Sequence, residues 1–254
     1  MERPPRDTRG PVELTVLDDV ASVARAAAEA ICEWAARHPR GVLGLATGAT
    51  MVPVYRALSR LDACRPERFR QVVAVNLDEY VGLGPDDPGS FHHFMQTHLF
   101  SQVPFSAHCI PNGAARDLDE ECRRYDILLD HLGGVGLQVL GLGTNGHVGF
   151  NEPGTPWEAR THVATLSAST RAANAATFAS GQHVPAAAVT MGIGDIRRAQ
   201  RLLMVAVGPH KAEALRRLLR DDPSPHFPAA ALMGHEPPMQ VLVDRAAARR
   251  LSEW

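Results

Sequence analysis

Cysteine is sparse in this chain: Cys32, Cys64, Cys109 and Cys122 are scattered over 254 residues with no CxxC pair. Such spacing supplies neither a zinc ribbon nor a disulfide framework, and reduced, mostly buried thiols are expected. No apolar run is long enough for a bilayer-spanning helix, and the leading MERPPRDTRGPVE has charge and proline but no apolar core of a secretory signal. A cytoplasmic protein without membrane contact is the expectation. An excess of positive charge is also lacking. The formal net charge is -2, and no run of Lys and Arg interleaved with aromatics marks a nucleic-acid groove. An anionic ligand would therefore be held by a few local donors. There is no repeat at solenoid spacing, no low-complexity linker and no shift of composition along the chain, so residues 1–254 are expected to form one domain.

What is present is ordinary for a packed soluble protein, with 45% hydrophobic and 21% charged residues. Short apolar strands alternate with amphipathic helices. VELTVL precedes a segment in which Val20, Val23, Ala27, Ile31 and Trp34 recur at helical spacing behind Asp18 and Asp19 as caps. VLGLATG leads into a helix through Val54 and Leu58, and VVAVNLDEY is followed by a helix from about Ser90 to Phe100. A helix from Asp117 to Leu132 stops at Gly133 and Gly134. LQVLGLG, AAVTMGIG, LLMVAVG and MQVLVD complete the set of strands. This alternation predicts a three-layer α/β/α, doubly wound, mostly parallel sheet. The long irregular region from about Gly149 to Pro185 is a candidate lid.

Ligands of such sheets bind outside the carboxyl ends of the strands. Those ends carry the chemistry here. Thr47-Gly48-Ala49-Thr50 between a strand and a helix offers backbone N–H groups, two hydroxyls and a helix N-terminus to a phosphate, although an ordinary turn with a threonine cap has the same sequence. That turn is neither a Walker loop nor a dinucleotide fingerprint. Asp78 and Glu79 in NLDEY are adjacent carboxylates at a strand end. Such residues commonly sit in solvated turns, yet a base for a carbon acid also needs a carboxylate beside low-dielectric walls. GLGTNGHVGFNEPG gathers Asn145, His147 and Glu152 in one glycine-rich loop, an arrangement in which a carboxylate tunes or orients an imidazole. Arg171 in STRAAN and Lys211 in GPHKAEAL are candidate cations for a phosphate. The histidines of SFHHFMQTHLF lack an HExxH pattern, so no metal site is expected.

Together these segments resemble the glucosamine-6-phosphate deaminase family, within the wider group of sugar-phosphate isomerase and 6-phosphogluconolactonase-like folds. NLDEYVGL, SFHHFM, IPNG, ECRRYD, GHVGFNEPG, STRAAN, VPAAAVTMGIG and GPHKAEAL carry the resemblance, which runs collinearly from about Val42 to Val243. The related lactonases have a DGHxASLFP-like loop where this chain has NGHVGFNEP. The resemblance implies that Asp78 moves a proton from C2 to C1 of an amino-sugar phosphate, and that His147, with Glu152 and Asn145, assists opening of the pyranose ring. It also implies that Thr47, Gly48, Ala49, Thr50, Arg171 and Lys211 hold the phosphate, with Glu79 beside the substrate. No redox or metal cofactor is required. Asn145 stands where many members have aspartate, Met51 replaces a common proline, and Ala49 a common Gly or Ser.

The activity implied is conversion of D-glucosamine 6-phosphate and water to D-fructose 6-phosphate and ammonia. Alternatives are a deaminase for another hexosamine phosphate such as the galactosamine epimer, a 6-phosphogluconolactonase-like hydrolase, or a non-catalytic sugar-phosphate sensor. A sensor with a helix-turn-helix has little room, since only about a dozen residues precede the first expected strand. The expected partner is the small phosphorylated sugar alone, with no nucleic acid or membrane; the sequence leaves a homo-oligomer open. In the resembling allosteric members, basic residues just beyond the NEP loop hold an acetylated sugar phosphate. The matching positions here are His162 and Ala164, so non-cooperative kinetics are expected.

Overall fold

The structure, a computed structural model, describes residues 12–63, 65, 67–175, 178 and 183–251. Cys64 and part of the expected lid (176–177 and 179–182) lie outside the described residues. Seven strands form an entirely parallel sheet: β1 (Val12–Leu17), β2 (Val42–Leu45), β3 (Val73–Asn76), β5 (Ala107–Cys109), β6 (Leu137–Gly141), β9 (Leu202–Ala206) and β10 (Met239–Asp244), in the order β1-β10-β9-β6-β2-β3-β5. The inner strands VLGL and LLMVA are buried along their whole length, as parallel strands covered on both faces must be.

From β2 the chain steps outward to β3 and β5, then returns to β6 on the other side of β2 and proceeds through β9 to β10. The right-handed rule for parallel crossovers, applied to this strand order, assigns α1 (Val20–Arg37) and α2 (Met51–Asp62), which contact each other, to one face, and α4 (Leu118–His131) and α7 (Ala212–Arg220) to the other. The expected three layers are thus present. The reversal of strand order falls between β2 and β6, so their carboxyl ends part and open a crevice.

Local signals set the helix ends as expected. Asp19 accepts from the Ser22 N–H at 2.8 Å, and Asp117 from Glu120 N–H at 2.8 Å. The segment after Ser90 begins as α3 (Phe91–Met95) but widens into a π-helical turn over Gln96–Phe100.

A second, three-stranded antiparallel sheet departs from the expectation. It has the order β4-β8-β7, from β4 (Asp78–Tyr80), β8 (Ala187–Thr190) and β7 (His162–Thr165). NLDEY is therefore not the tail of one strand. Leu77 is the joint: its N–H donates to Leu45 of β2 at 3.1 Å, and its carbonyl accepts from Met191 at 2.7 Å. AAVT likewise belongs to the small sheet. The expected irregular region contains both β7 and α5 (Ala168–Asn174), behind which Tyr80, Phe150, Ala164, Leu166 and Ala188 form a separate apolar cluster. Two further short α-helices among the described residues are α6 (Ile193–Arg197) and α8 (Arg245–Ala248).

Candidate active site

A cavity of about 400 Å³ opens at the switch point. Its walls come from the end of β2 (Ala46, Thr47, Gly48, Ala49, Thr50), the joint after β3 (Leu77, Asp78), the loop after β6 (Gly141 to Thr144, His147, Gly149, Phe150), α3 (Phe91), α5 (Ala173, Asn174) and the turn after β9 (His210, Lys211). Residues separated by more than 160 positions thus share one wall, as the strand-end argument requires.

Asp78 is 5% exposed. Burial, and secondarily the charge of Glu79, push its carboxyl up to about 8. Glu79 faces the other way. Its Oε1 accepts from the backbone N–H groups of Tyr80 (2.8 Å) and Phe91 (2.9 Å), and its Oε2 from that of His92 (2.8 Å). Burial still raises Glu79 to about 6, with these hydrogen bonds pulling it down. Glu79 is absent from the cavity wall. Its carboxylate ties β4 to the start of α3 and bears on Asp78 through charge.

The loop after β6 is tight because Gly143 N–H donates to the carbonyl of His147 at 2.9 Å, and the imidazole lies over Gly143. A Cβ on Gly143 would come within 2.4 Å of His147 Nδ1, so only glycine fits under the ring. Gly149 is required for a different reason. It has φ 56°, and a Cβ there would meet Thr190 Oγ1 at 3.0 Å and Asp78 Oδ2 at 3.3 Å. The loop is clasped to the small sheet by Asn151, whose Nδ2 donates to the carbonyls of Val148 and Met191, each at 2.9 Å.

Asn145 links the two titratable groups of this loop. Its Oδ1 accepts from the His147 backbone N–H at 3.1 Å and stands 2.7 Å from His147 Nδ1, while its Nδ2 donates to Glu152 Oε2 at 2.9 Å. A backbone N–H can only donate and a carboxylate only accept, so both contacts fix the same orientation of the amide. The proton on a neutral His147 then sits on Nδ1, and Nε2 is left with its lone pair. Burial holds His147 well below the ordinary histidine range; Glu152 pulls it upward and Lys211 pushes it further down. Burial would raise Glu152, but hydrogen bonds from Thr170, Ser167 and Asn145 and the nearby imidazole outweigh it, so its carboxyl is lowered.

At the other end of the cavity, Thr50 precedes α2 without using its side chain as a cap. Gly48 turns the chain with φ 96°, and its carbonyl accepts from Met51 N–H at 2.9 Å. Lys211 lines the same cavity, and burial lowers its affinity for a proton. Arg171 does not line it. It is exposed on α5, whose Ala173 and Asn174 do. Phe91, Phe150, Ala173 and Asn174 are wall residues that the strand-end reading did not single out. Asn174 had a signal, three residues after Arg171 and so on nearly the same helix face.

The family model for glucosamine-6-phosphate isomerases/6-phosphogluconolactonase matches residues 18–241. This chain belongs to that family. Among its members, glucosamine-6-phosphate deaminase of Bacillus velezensis is 49% identical over 224 residues, 87% of this chain and 92% of the relative. Glucosamine-6-phosphate deaminase 1 of Bacillus subtilis is 50% identical over 212 residues, 83% of this chain and 87% of the relative. A solved monomeric glucosamine-6-phosphate deaminase superposes with a TM-score of 0.91 at 45% identity, covering 94% of this chain and all of that one. The family's mostly parallel sheet flanked by helices is the fold described above.

Proposed function

We propose that this protein is an amino-sugar-phosphate deaminase that converts D-glucosamine 6-phosphate and water to D-fructose 6-phosphate and ammonia. The observation that carries the reading is that one cavity has both Asp78 and His147 on its wall together with the Thr47–Thr50 turn and Lys211. An aldose–ketose proton shift needs a base at the carbon and a separate acid–base group at the ring oxygen, and a phosphate gives the sugar one fixed end. The deaminase relatives at 49% and 50% identity support the same reading.

In this reading the phosphate lies on the N–H groups and hydroxyls of Thr47, Gly48, Ala49 and Thr50, with Lys211 as its counter-charge. Arg171 joins them as α5 turns inward on binding. His147 Nε2 accepts the proton of the C1 hydroxyl and returns it to the ring oxygen, opening the pyranose. Asn145 keeps the imidazole in the tautomer this exchange needs, and Glu152 steadies the charge that forms on it. Asp78 then takes the proton from C2 and delivers it to C1. The amino group becomes an imine at C2, water adds there, and ammonia leaves. The C2 ammonium of the arriving substrate draws Asp78 towards its ionised form, so the raised affinity of the empty site for a proton does not disable the base.

A cytoplasmic location belongs to this reading; among the described residues no helix is long and apolar enough to cross a membrane. We infer a monomer, the state of the solved deaminase at 45% identity. Ammonia release from a panel of hexosamine phosphates tests the function. Turnover of the glucosamine epimer in preference to the galactosamine epimer supports it, and hydrolysis of a phosphorylated lactone without ammonia release contradicts it.

A further inference from the structure

Lys211 is the only lysine in the chain; the other 25 of its 26 Lys and Arg residues are arginine. This one side-chain amine stands in the cavity. It closes the 3-10 turn Pro209–Lys211, which is held in place because Gly208 N–H donates to both carboxylate oxygens of Asp244, at 3.0 and 3.1 Å. Asp244 also caps α8 through Ala247 N–H at 2.8 Å, so the turn is tied to the end of β10. Among the described residues no carboxylate pairs with the Lys211 ammonium, and burial alone shifts its proton affinity, downward. An arginine here would stay charged and inert, whereas an amine deprived of water and of a counter-ion has an accessible neutral, nucleophilic form.

We propose that Lys211 is a site of covalent acylation by acyl phosphates, with the phosphate of the reagent seated on the Thr47–Thr50 turn. The inference rests on the phosphate-binding reading of that turn. In an acyl phosphate the carbonyl carbon is one bridging oxygen from phosphorus, so a group that reaches the phosphate oxygens also reaches the carbon. The lone pair of the neutral amine attacks that carbon and a C–N bond forms. The bond from carbon to the bridging oxygen breaks, inorganic phosphate leaves with the electron pair, and the surplus proton of the amine passes to solvent or to the departing phosphate. Nothing is oxidised or reduced. His210 lines the same cavity and is a second acceptor for that proton; burial and the charge of Lys211 lower its proton affinity, against the pull of Asp244. The product amide is neutral and has one N–H donor in place of three. Acylation therefore removes the cation from the phosphate site and links the activity of the enzyme to the supply of activated acyl groups.

The full-length protein is incubated with acetyl phosphate, with and without saturating inorganic phosphate, and analysed by intact mass and peptide mapping. An ester acylating reagent without a phosphate serves as the parallel arm, and Lys211→Arg as the control. One acetyl group on Lys211 is expected. Its appearance slows in proportion to phosphate occupancy, the phosphate-free ester shows less preference for Lys211 over the α-amino group, and the variant gains no side-chain acetyl group. Acetylated enzyme should show a KM for the sugar phosphate raised about tenfold or more. Acetylation confined to the α-amino group, or a rate at Lys211 indifferent to phosphate, overturns the proposal. If phosphate competes with the sugar in turnover yet leaves that rate unchanged, the acylation inference fails and the phosphate site stands. If phosphate does neither, the reading of the site fails and takes the inference with it.

Discussion

Asn145 Oδ1 lies 2.7 Å from His147 Nδ1, and the same amide donates to Glu152 from its other end at 2.9 Å. An amide between an imidazole and a carboxylate relays orientation without a second negative charge. Replacement of Asn145 by Ala removes the acceptor that keeps the Nδ1–H tautomer, and kcat should fall about ten- to a hundredfold with a smaller change in KM. Nitrogen NMR of the His147 ring should show a single Nδ1–H tautomer in the wild type and a mixture in the variant. An unchanged kcat would remove Asn145 from the relay.

Asp78, pushed to about 8 by burial and by Glu79, predicts an unusual pH dependence. Because kcat/KM reports the free enzyme, its acid limb should have a midpoint near 8, while that of kcat should lie lower once the substrate ammonium is bound. Stability gives an independent check. The folded carboxyl holds its proton above the ordinary value of 3.8, so this group's contribution to folding is fully present at low pH and is lost as pH rises from about 4 to about 8. Asp78→Asn cannot ionise and escapes that loss. Its Tm should therefore gain on the wild type across the same window, reaching several degrees at pH 8, while activity drops by orders of magnitude. A Tm difference that does not vary with pH would mean that Asp78 is not held in a dry environment.

Much of this site was legible in the sequence because parallel strands deliver their chemistry at one edge. Thr47, Asp78, His147 and Lys211 were each found by following an apolar strand to its end. The anchoring of Glu79 on backbone N–H groups was not legible, because alternation along NLDEY cannot show that the chain changes sheets at Leu77, which turns the next side chains into a new register. For the same reason β8 read as one more parallel strand. The aromatic wall of Phe91 and Phe150, whose rings stack at 5.7 Å, had no signal in the sequence, because both rings also pack with the cluster around Tyr80 and such residues have the same pattern as core. The orientation of Asn145 depended on contacts with a carboxylate seven residues away, which spacing alone does not reveal.

Arg171 is exposed while Lys211 shares the cavity wall with the Thr47–Thr50 turn, and their variants should differ accordingly. Lys211→Met should raise both the inhibition constant of inorganic phosphate and KM for the phosphorylated sugar. Arg171→Met should raise KM but leave the binding of inorganic phosphate nearly unchanged, since in the proposed reading α5 is drawn in only by a whole substrate. Equal losses for phosphorylated and unphosphorylated sugars in both variants would place the phosphate elsewhere.

Regulation by a second sugar phosphate near β7 is not expected. His162 turns its Nδ1 to the carbonyl of Arg160 at 2.9 Å, and Ala164 is buried. The guanidinium of Arg160, two residues before His162, is committed: its Nε is 2.6 Å from Asp195, and its Nη2 is 3.3 Å from Asp130. Substrate curves at neutral pH should be hyperbolic and little altered by N-acetylglucosamine 6-phosphate, apart from weak competition. Sigmoidal curves made hyperbolic by that ligand would reveal an effector site built from other residues.

In the proposed reaction Asp78 carries the C2 proton while ammonia is released from the same carbon. Its most direct test is turnover of D-glucosamine 6-phosphate deuterated at C2, with ammonia and the C1 deuterium content of the ketose measured together. The wild type should form ammonia and D-fructose 6-phosphate in equal amounts, with a primary isotope effect and deuterium either carried to C1 or exchanged into solvent, and Asp78→Asn should do none of this. Equal ammonia release by the variant, or wild-type turnover that leaves deuterium on C2 and releases no ammonia, would rule this role out.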